Sequence, residues 1–386
     1  MQNIPSKLPN VGTTIFSVMS SLAARYGAVN LSQGFPDFDC DEVLKDLVVS
    51  NLRMGHNQYA PMPGIRQLRE ILSEKVRRLY EVEVDPETEV TVTAGATQAL
   101  FTAISAFVRP GDEVVLIEPA YDSYRPAIEL NGGRVVAYEL TAPDYSINWE
   151  DFARLISPHT RMVLINSPHN PTGRVLSRED LEALQGILEG TSVVLLSDEV
   201  YEHLVFDGQE HQSVLRFPGL FQRSLATFSF GKTFHNTGWK TGYCIGPEPL
   251  MREFRKVHQY NVFSVHTPTQ YALAEYLQDP GVYAGLADFY QRKRDYFLKI
   301  LEKSPFEILP CGGTYFQLVR YQSFSNLPDI EFTEWMTREA GIAAIPVSVF
   351  YESRRDDRVI RFCFAKTEQL LNQAAEKLGR LGQFSP

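Results

Sequence analysis

The sequence predicts an α/β protein in two units. A large unit is built on a mostly parallel sheet covered by helices on both faces, and a smaller α+β unit follows it. Three observations lead there. The chain has 386 residues, more than one hydrophobic core usually organises. Between residues 89 and 246, short apolar runs alternate with helical patterns, as parallel strands joined by crossover helices require. Beyond residue 284 the pattern changes to a long amphipathic helix, short strands and a closing helix. The expected divisions are an arm and part of the small domain over 1–40, the large domain over 41–284 and the small domain over 285–386.

Taken in order, residues 1–15 are polar and contain proline, and read as the arm. An amphipathic stretch covers 15–26 and includes Phe16. In Asn-Leu-Ser-Gln-Gly-Phe-Pro-Asp-Phe (30–38), Gly34 precedes an aromatic-proline pair, which permits a tight turn and close backbone approach to a ligand. Helices expected over 41–53 and 65–79 flank a loop with Tyr59 and Gly64. A strand over 89–93 runs into Ala94-Gly95-Ala96-Thr97 and a helix over 98–108. Small residues at a helix head leave N–H groups free for an anion, so Gly95, Ala96 and Thr97 are candidate ligands of one. Further strands are expected over 113–117, 134–140, 161–166, 193–198, 225–229 and 240–246. Ligand sites in such sheets lie at strand ends. Ala96, Tyr121, Asn170, Asp198 and Lys232 all fall there. The smaller unit is expected to hold a helix over 282–303, strands over 306–309, 314–319 and 359–364, and a helix over 367–381.

Composition excludes several functions. A net charge of −10 opposes a phosphate-backbone partner, which needs a basic face. No apolar run approaches a membrane span, and the start, MQNIPSKLPN, lacks a charged-then-apolar signal. Four widely spaced cysteines form no Cys-x-x-Cys pair, which suggests reduced thiols in the cytoplasm and no zinc site. No glycine-x-glycine-x-x-glycine fingerprint follows any expected strand, which weakens a nicotinamide reading.

The chemistry-bearing residues stand in four strings. In SLATFSFGKTFHNTGWKTGYCIG (224–246), an apolar run ends at Ser229-Phe230-Gly231-Lys232, and a second cation, Lys240, comes eight residues later. A lysine just past a buried strand suits covalent chemistry with an aldehyde. Gly231-Lys232-Thr233 does not end a nucleotide loop, because Ala226 stands where that motif needs glycine. Asp198 closes the apolar run before Glu199-Val200-Tyr201; a buried carboxylate there is costly without a cation, unless it merely caps a helix. In Asn-Ser-Pro-His-Asn-Pro-Thr-Gly (166–173), Pro171 and Gly173 fix a turn that aims Asn170. Arg361 alternates into an apolar strand, either exposed on one face or waiting for an anion.

Together these strings resemble the class I pyridoxal-phosphate aminotransferases, over the chain from about residue 10 onward. The resemblance implies a fold-type I transferase whose large domain carries a seven-stranded sheet. It implies that Lys232 forms the internal Schiff base and, once freed, moves the Cα proton as acid and base. Ser229, Lys240 and residues 95–97 hold the phosphate, with Tyr59 reaching across from a partner. Asp198 pairs with the ring nitrogen, Tyr201 and Asn170 bond the phenolic oxygen, and Tyr121 stacks on the ring. Arg361 clamps the substrate carboxylate, Gly34 lies against the substrate, and Phe16, Tyr121 and Phe263 line its side-chain pocket. Phe263 and Tyr260 approach the neighbouring subunit's site. A cytoplasmic homodimer with shared sites follows. Lys240, where the aspartate-specific branch carries arginine, and His258–Ser264 point to the branch of methionine, kynurenine and glutamine–phenylpyruvate aminotransferases. The expected activity moves the amino group of an apolar L-amino acid, methionine or an aromatic one, to a 2-oxo acid. A cysteine-conjugate β-lyase is the alternative, since both outcomes share one carbanion. A regulator without turnover is a third reading, disfavoured by the acidic chain.

Overall fold

The computed structural model describes residues 4–383, so residues 1–3 of the expected arm lie outside it. A short strand, β1 (Val29–Asn30), precedes the large sheet. That sheet has the seven strands the resemblance implied: β2 (Val90–Thr93), β3 (Glu113–Glu118), β4 (Arg134–Glu139), β5 (Thr160–Asn166), β6 (Val194–Asp198), β7 (Ser224–Ser229) and β8 (Gly242–Ile245). Their order is β2-β8-β7-β6-β5-β3-β4. Strands β3 to β7 pair in parallel, and β8 runs antiparallel to both its neighbours.

The apolar runs are continuous because both faces are covered. Every residue of β3 and β6 is buried, whereas edge strand β4 is only partly covered. Alternate residues feed two cores: Val115, Val163 and Leu195 pack into one, and Leu116, Leu164 and Leu196 into the other.

Register places the strand ends side by side. Asn166 pairs with Asp198, Asp198 with Thr227, and Gly242 with both Ser229 and Thr93. The C-terminal ends of four strands therefore form one edge.

The second sheet uses β9 (Glu307–Ile308), β10 (Phe316–Arg320), β12 (Ile345–Pro346) and β13 (Val359–Cys363), all antiparallel, in the order β12-β13-β10-β9. A two-residue strand between them, β11 (Ile342–Ala343), pairs in parallel with β1. Helix Ile15–Tyr26, capped by the Thr14 side chain, packs beside the turn at Met336–Ala340. The N-terminal segment thus joins the C-terminal sheet.

Two expectations change. The helix expected over 282–303 is two helices, Gly281–Ala284 and Leu286–Leu301, interrupted at Gly285, whose backbone leaves helical geometry. The strand expected from residue 240 starts at Gly242, because Lys240 adopts a left-handed conformation (φ 52°) that cannot extend a strand. Among the described residues no cluster of metal-ligating side chains occurs, and no helix is long and apolar enough to cross a membrane. All four cysteines are free thiols.

Candidate active site

A cavity of about 310 Å³ opens over the shared strand edge. One end is built for an anion. Helix Ala96–Phe107 starts from Gly95 at φ 82°, and no side chain caps it, so its first N–H groups are left to a ligand. Ala96, Thr97, Ser229 and Lys240 line this end. A side chain at Gly95 would be strained by its positive φ, although the space beside Lys240, 3.6 Å away, would admit it.

Asp198 lies at the floor, 4% exposed. Tyr124 Oη donates to its Oδ2 at 2.6 Å, and the Val200 N–H donates to Oδ1 at 3.2 Å. Among the described residues no cation pairs with it, and burial pushes its pKa up to about 6. Asn166 ties the neighbouring pieces together. Its Nδ2 donates to the Asp198 carbonyl at 2.8 Å, and its Oδ1 accepts from the Asn170 N–H at 2.8 Å. Asn170 Oδ1 in turn accepts from Arg361 Nη1 at 2.7 Å.

Arg361 is 1% exposed, which decides between the two possibilities its strand left open. Strand β13 sits between β12 and β10, and both its faces are covered. The guanidinium lies 3.9 Å over the Phe316 ring and donates to the Ser32 carbonyl at 3.3 Å. Its Nε has no partner, no carboxylate pairs with it among the described residues, and burial lowers its pKa. A buried guanidinium in that condition is a place for an anion.

Lys232 sits in the single turn Phe230–Thr233 directly after β7. Its Nζ donates to Tyr315 Oη at 2.7 Å and to the Gly34 carbonyl at 3.3 Å. Burial brings its pKa down to about 8. Gly34 packs closely, since an added Cβ would meet the Phe316 ring at 3.0 Å and the ring would have to give way. Tyr201 is buried, its ring edge-on to Tyr315. Behind it the segment 199–203 is pinned. Glu202 accepts from Lys75 at 2.6 Å, and Glu199 meets the His211 ring at 2.8 Å. Those contacts turn Asp198 and Tyr201 toward the cavity.

Phe16, Phe35 and Tyr121 also line the cavity. Phe263 does not, so the expected three-membered aromatic wall is not formed within one chain. It lies with Tyr59 in an edge-to-face pair on the outside, where Tyr59 is 81% and Tyr260 90% exposed. Sequence reasoning missed Tyr124, Asn166 and Tyr315. Asn166 opens the 166–173 string already singled out, and Tyr124 stands three residues after Tyr121. Tyr315 follows Gly312-Gly313-Thr314, a signal of close backbone packing that was available.

A model of the family described as aminotransferase class I and II matches residues 26–378. The chain is 51% identical to the methionine aminotransferase of Escherichia coli (strain K12), over 97% of this chain and 98% of that protein. It is 36% identical to kynurenine–oxoglutarate transaminase 1 of Homo sapiens, over 92% and 93% of the two chains. A crystal structure from E. coli whose reactivity identified a methionine aminotransferase function superposes with a TM-score of 0.96 at 51% identity, covering 98% of this chain and all of that one.

Proposed function

This chain belongs to the class I and II aminotransferases, which in this fold-type I architecture use pyridoxal phosphate, and from that premise we propose that it moves the amino group of methionine or an aromatic L-amino acid to a 2-oxo acid. One observation carries the reading: an amine, a carboxylate and a guanidinium, from Lys232, Asp198 and Arg361, converge on one cavity, and their hydrogen-bond partners among the described residues are all uncharged. Asp198 suits a cation, and Arg361 and the uncapped helix start at Gly95–Thr97 each suit an anion. The cofactor and an amino acid carry those charges between them.

In this reading the backbone at Gly95, Ala96 and Thr97, with Ser229 and Lys240, holds the phosphate, and Tyr121 stacks on the ring. Asp198 keeps the ring nitrogen protonated, and Tyr201 and Asn170 bond the phenolic oxygen. When bound, the cofactor withdraws the electron pair left by the substrate's Cα proton. Lys232 anchors the cofactor, then takes that proton and returns it one position along. Arg361 receives the α-carboxylate in a two-pronged hydrogen bond, with Gly34 against the substrate. Phe16, Phe35 and Tyr121 present apolar surface to the side chain.

The relatives do not favour the alternative, β-elimination from cysteine conjugates. An assay of the amino acids against several 2-oxo acids tests the proposal. Methionine and aromatic donors should exceed aspartate roughly 100-fold in kcat/KM, because a carboxylate in the apolar pocket finds no partner. Faster aspartate turnover, or pyruvate and ammonia as the main products of a cysteine conjugate, would refute it.

Arg361→Lys should raise KM for the amino acid about 10- to 100-fold by losing the fork, with kcat reduced less. An unaltered KM would remove Arg361 from carboxylate binding.

The same reading makes the protein a homodimer. Tyr59, Tyr260 and Phe263, exposed on one chain, then face the partner's site, which sedimentation of a monomer would exclude. The free thiols support a reducing, cytoplasmic setting. The proposed divisions remain 1–40, 41–284 and 285–386, and all three contribute to the cavity lining.

A further inference from the structure

We propose that Tyr315 is a positioning residue for Lys232: its hydroxyl, together with the Gly34 carbonyl, receives the Lys232 amine whenever that amine is free and leaves its lone pair aimed at the substrate proton. The proposal rests on reading Lys232 as the group that moves the Cα proton.

Three hydrogen bonds close a small triangle. Lys232 Nζ donates to Tyr315 Oη at 2.7 Å and to Gly34 O at 3.3 Å, and Tyr315 Oη donates to Gly34 O at 2.7 Å. A hydroxyl has one proton. With that proton given to Gly34, the Tyr315 oxygen can only accept from Lys232. A neutral amine has two N–H bonds and one lone pair. Both N–H bonds are then occupied, and the lone pair is the one feature of the nitrogen left to react. In the step itself the substrate Cα–H bond breaks, an N–H bond forms on Nζ, and the bonding pair stays with the substrate. The same N–H bond breaks when the proton is returned.

The triangle is held rigidly. Tyr315 is fully buried, with its ring against Tyr201, Phe316 and Tyr290 at centroid distances of 5.2, 4.9 and 5.8 Å. Its carbonyl accepts from the Phe364 N–H at 3.0 Å. The turn before it has no slack, since a Cβ on Gly313 would meet the Leu204 carbonyl at 2.8 Å. Burial raises the Tyr315 pKa well above that of a free phenol, so the hydroxyl stays protonated and does not compete as the base. The Gly34 loop is tied from its other side, where Lys366 Nζ donates to the Phe35 carbonyl at 2.8 Å.

Tyr315→Phe keeps the ring and removes the oxygen. Two readouts test it. In the loaded enzyme with α-deuterated methionine, kcat should fall roughly 10- to 100-fold and the primary isotope effect should grow, as proton transfer becomes limiting. In the cofactor-free protein, Lys232 should be labelled by trinitrobenzenesulfonate with a pH midpoint below the parent's, because the acceptor that favours the ammonium is gone. A merely structural role moves neither. An unchanged isotope effect or an unchanged labelling midpoint overturns the proposal. If Lys232→Ala retains turnover, the underlying assignment of Lys232 fails and this proposal with it. If that variant is inactive while Tyr315→Phe shifts nothing, Tyr315 alone is excluded.

Discussion

Replacing Lys232 by alanine should lower turnover by roughly 10⁴-fold or more, and borohydride should no longer fix pyridoxal phosphate to the chain. The loss is large because one amine is asked for two tasks. In the proposed reading it would anchor the cofactor covalently and also move the Cα proton. Both need a lysine that can shed its proton near physiological pH, and burial eases that by bringing the pKa from 10.5 to about 8. No other lysine can substitute. Lys240, the nearest alternative lining the cavity, is exposed and lies at its anion-binding end beside Gly95. An added small primary amine should restore part of the rate, because truncation leaves a space of the right shape with Tyr315 and Gly34 as ready acceptors. Borohydride fixation at a different lysine, or a variant retaining more than about a hundredth of the parental kcat, would contradict the assignment.

The parts of the site legible in the sequence were those that parallel-sheet geometry brings to one edge. Asn170, Asp198 and Lys232 follow strands that read clearly as apolar runs, and register sets those ends next to one another. The residues that complete the site come from far along the chain. Tyr315 meets an amine 83 positions away, and Gly34 meets it across 198. Local signals mark a close backbone approach at Gly34 and before Tyr315, but not which amine they meet. Arg361 shows the same limit from another side. Alternation in an apolar strand allows two faces, and only the neighbouring strands β10 and β12 decide that both are covered. The break at Gly285 escaped notice because a single glycine does not disturb helical periodicity. Lys240 ends its turn left-handed, a conformation that lysine adopts only when its surroundings hold it there.

Asp198→Asn should lower kcat by about 10²- to 10³-fold and weaken cofactor binding. In the parent, the carboxylate is held by Tyr124 and the Val200 N–H but has no cation, and burial raises its pKa from 3.8 to about 6. In the proposed reading a protonated ring nitrogen would supply that cation and offset the cost of burying the charge. Asparagine fills the same space and can keep the Val200 contact, yet it carries no charge, so the ring nitrogen loses its proton and with it the capacity to withdraw electrons. The cofactor-free protein gives an independent check with a definite sign. Because the folded pKa lies above the unfolded one, the folded state binds the extra proton between pH 3.8 and about 6, and stability falls as pH rises through that window. Asparagine does not titrate. The variant's melting temperature, relative to the parent's, should therefore be higher at pH 7 than at pH 4. A difference that is flat with pH would mean that Asp198 is not buried as a lone charge, and a near-parental kcat would mean that another acid serves the ring.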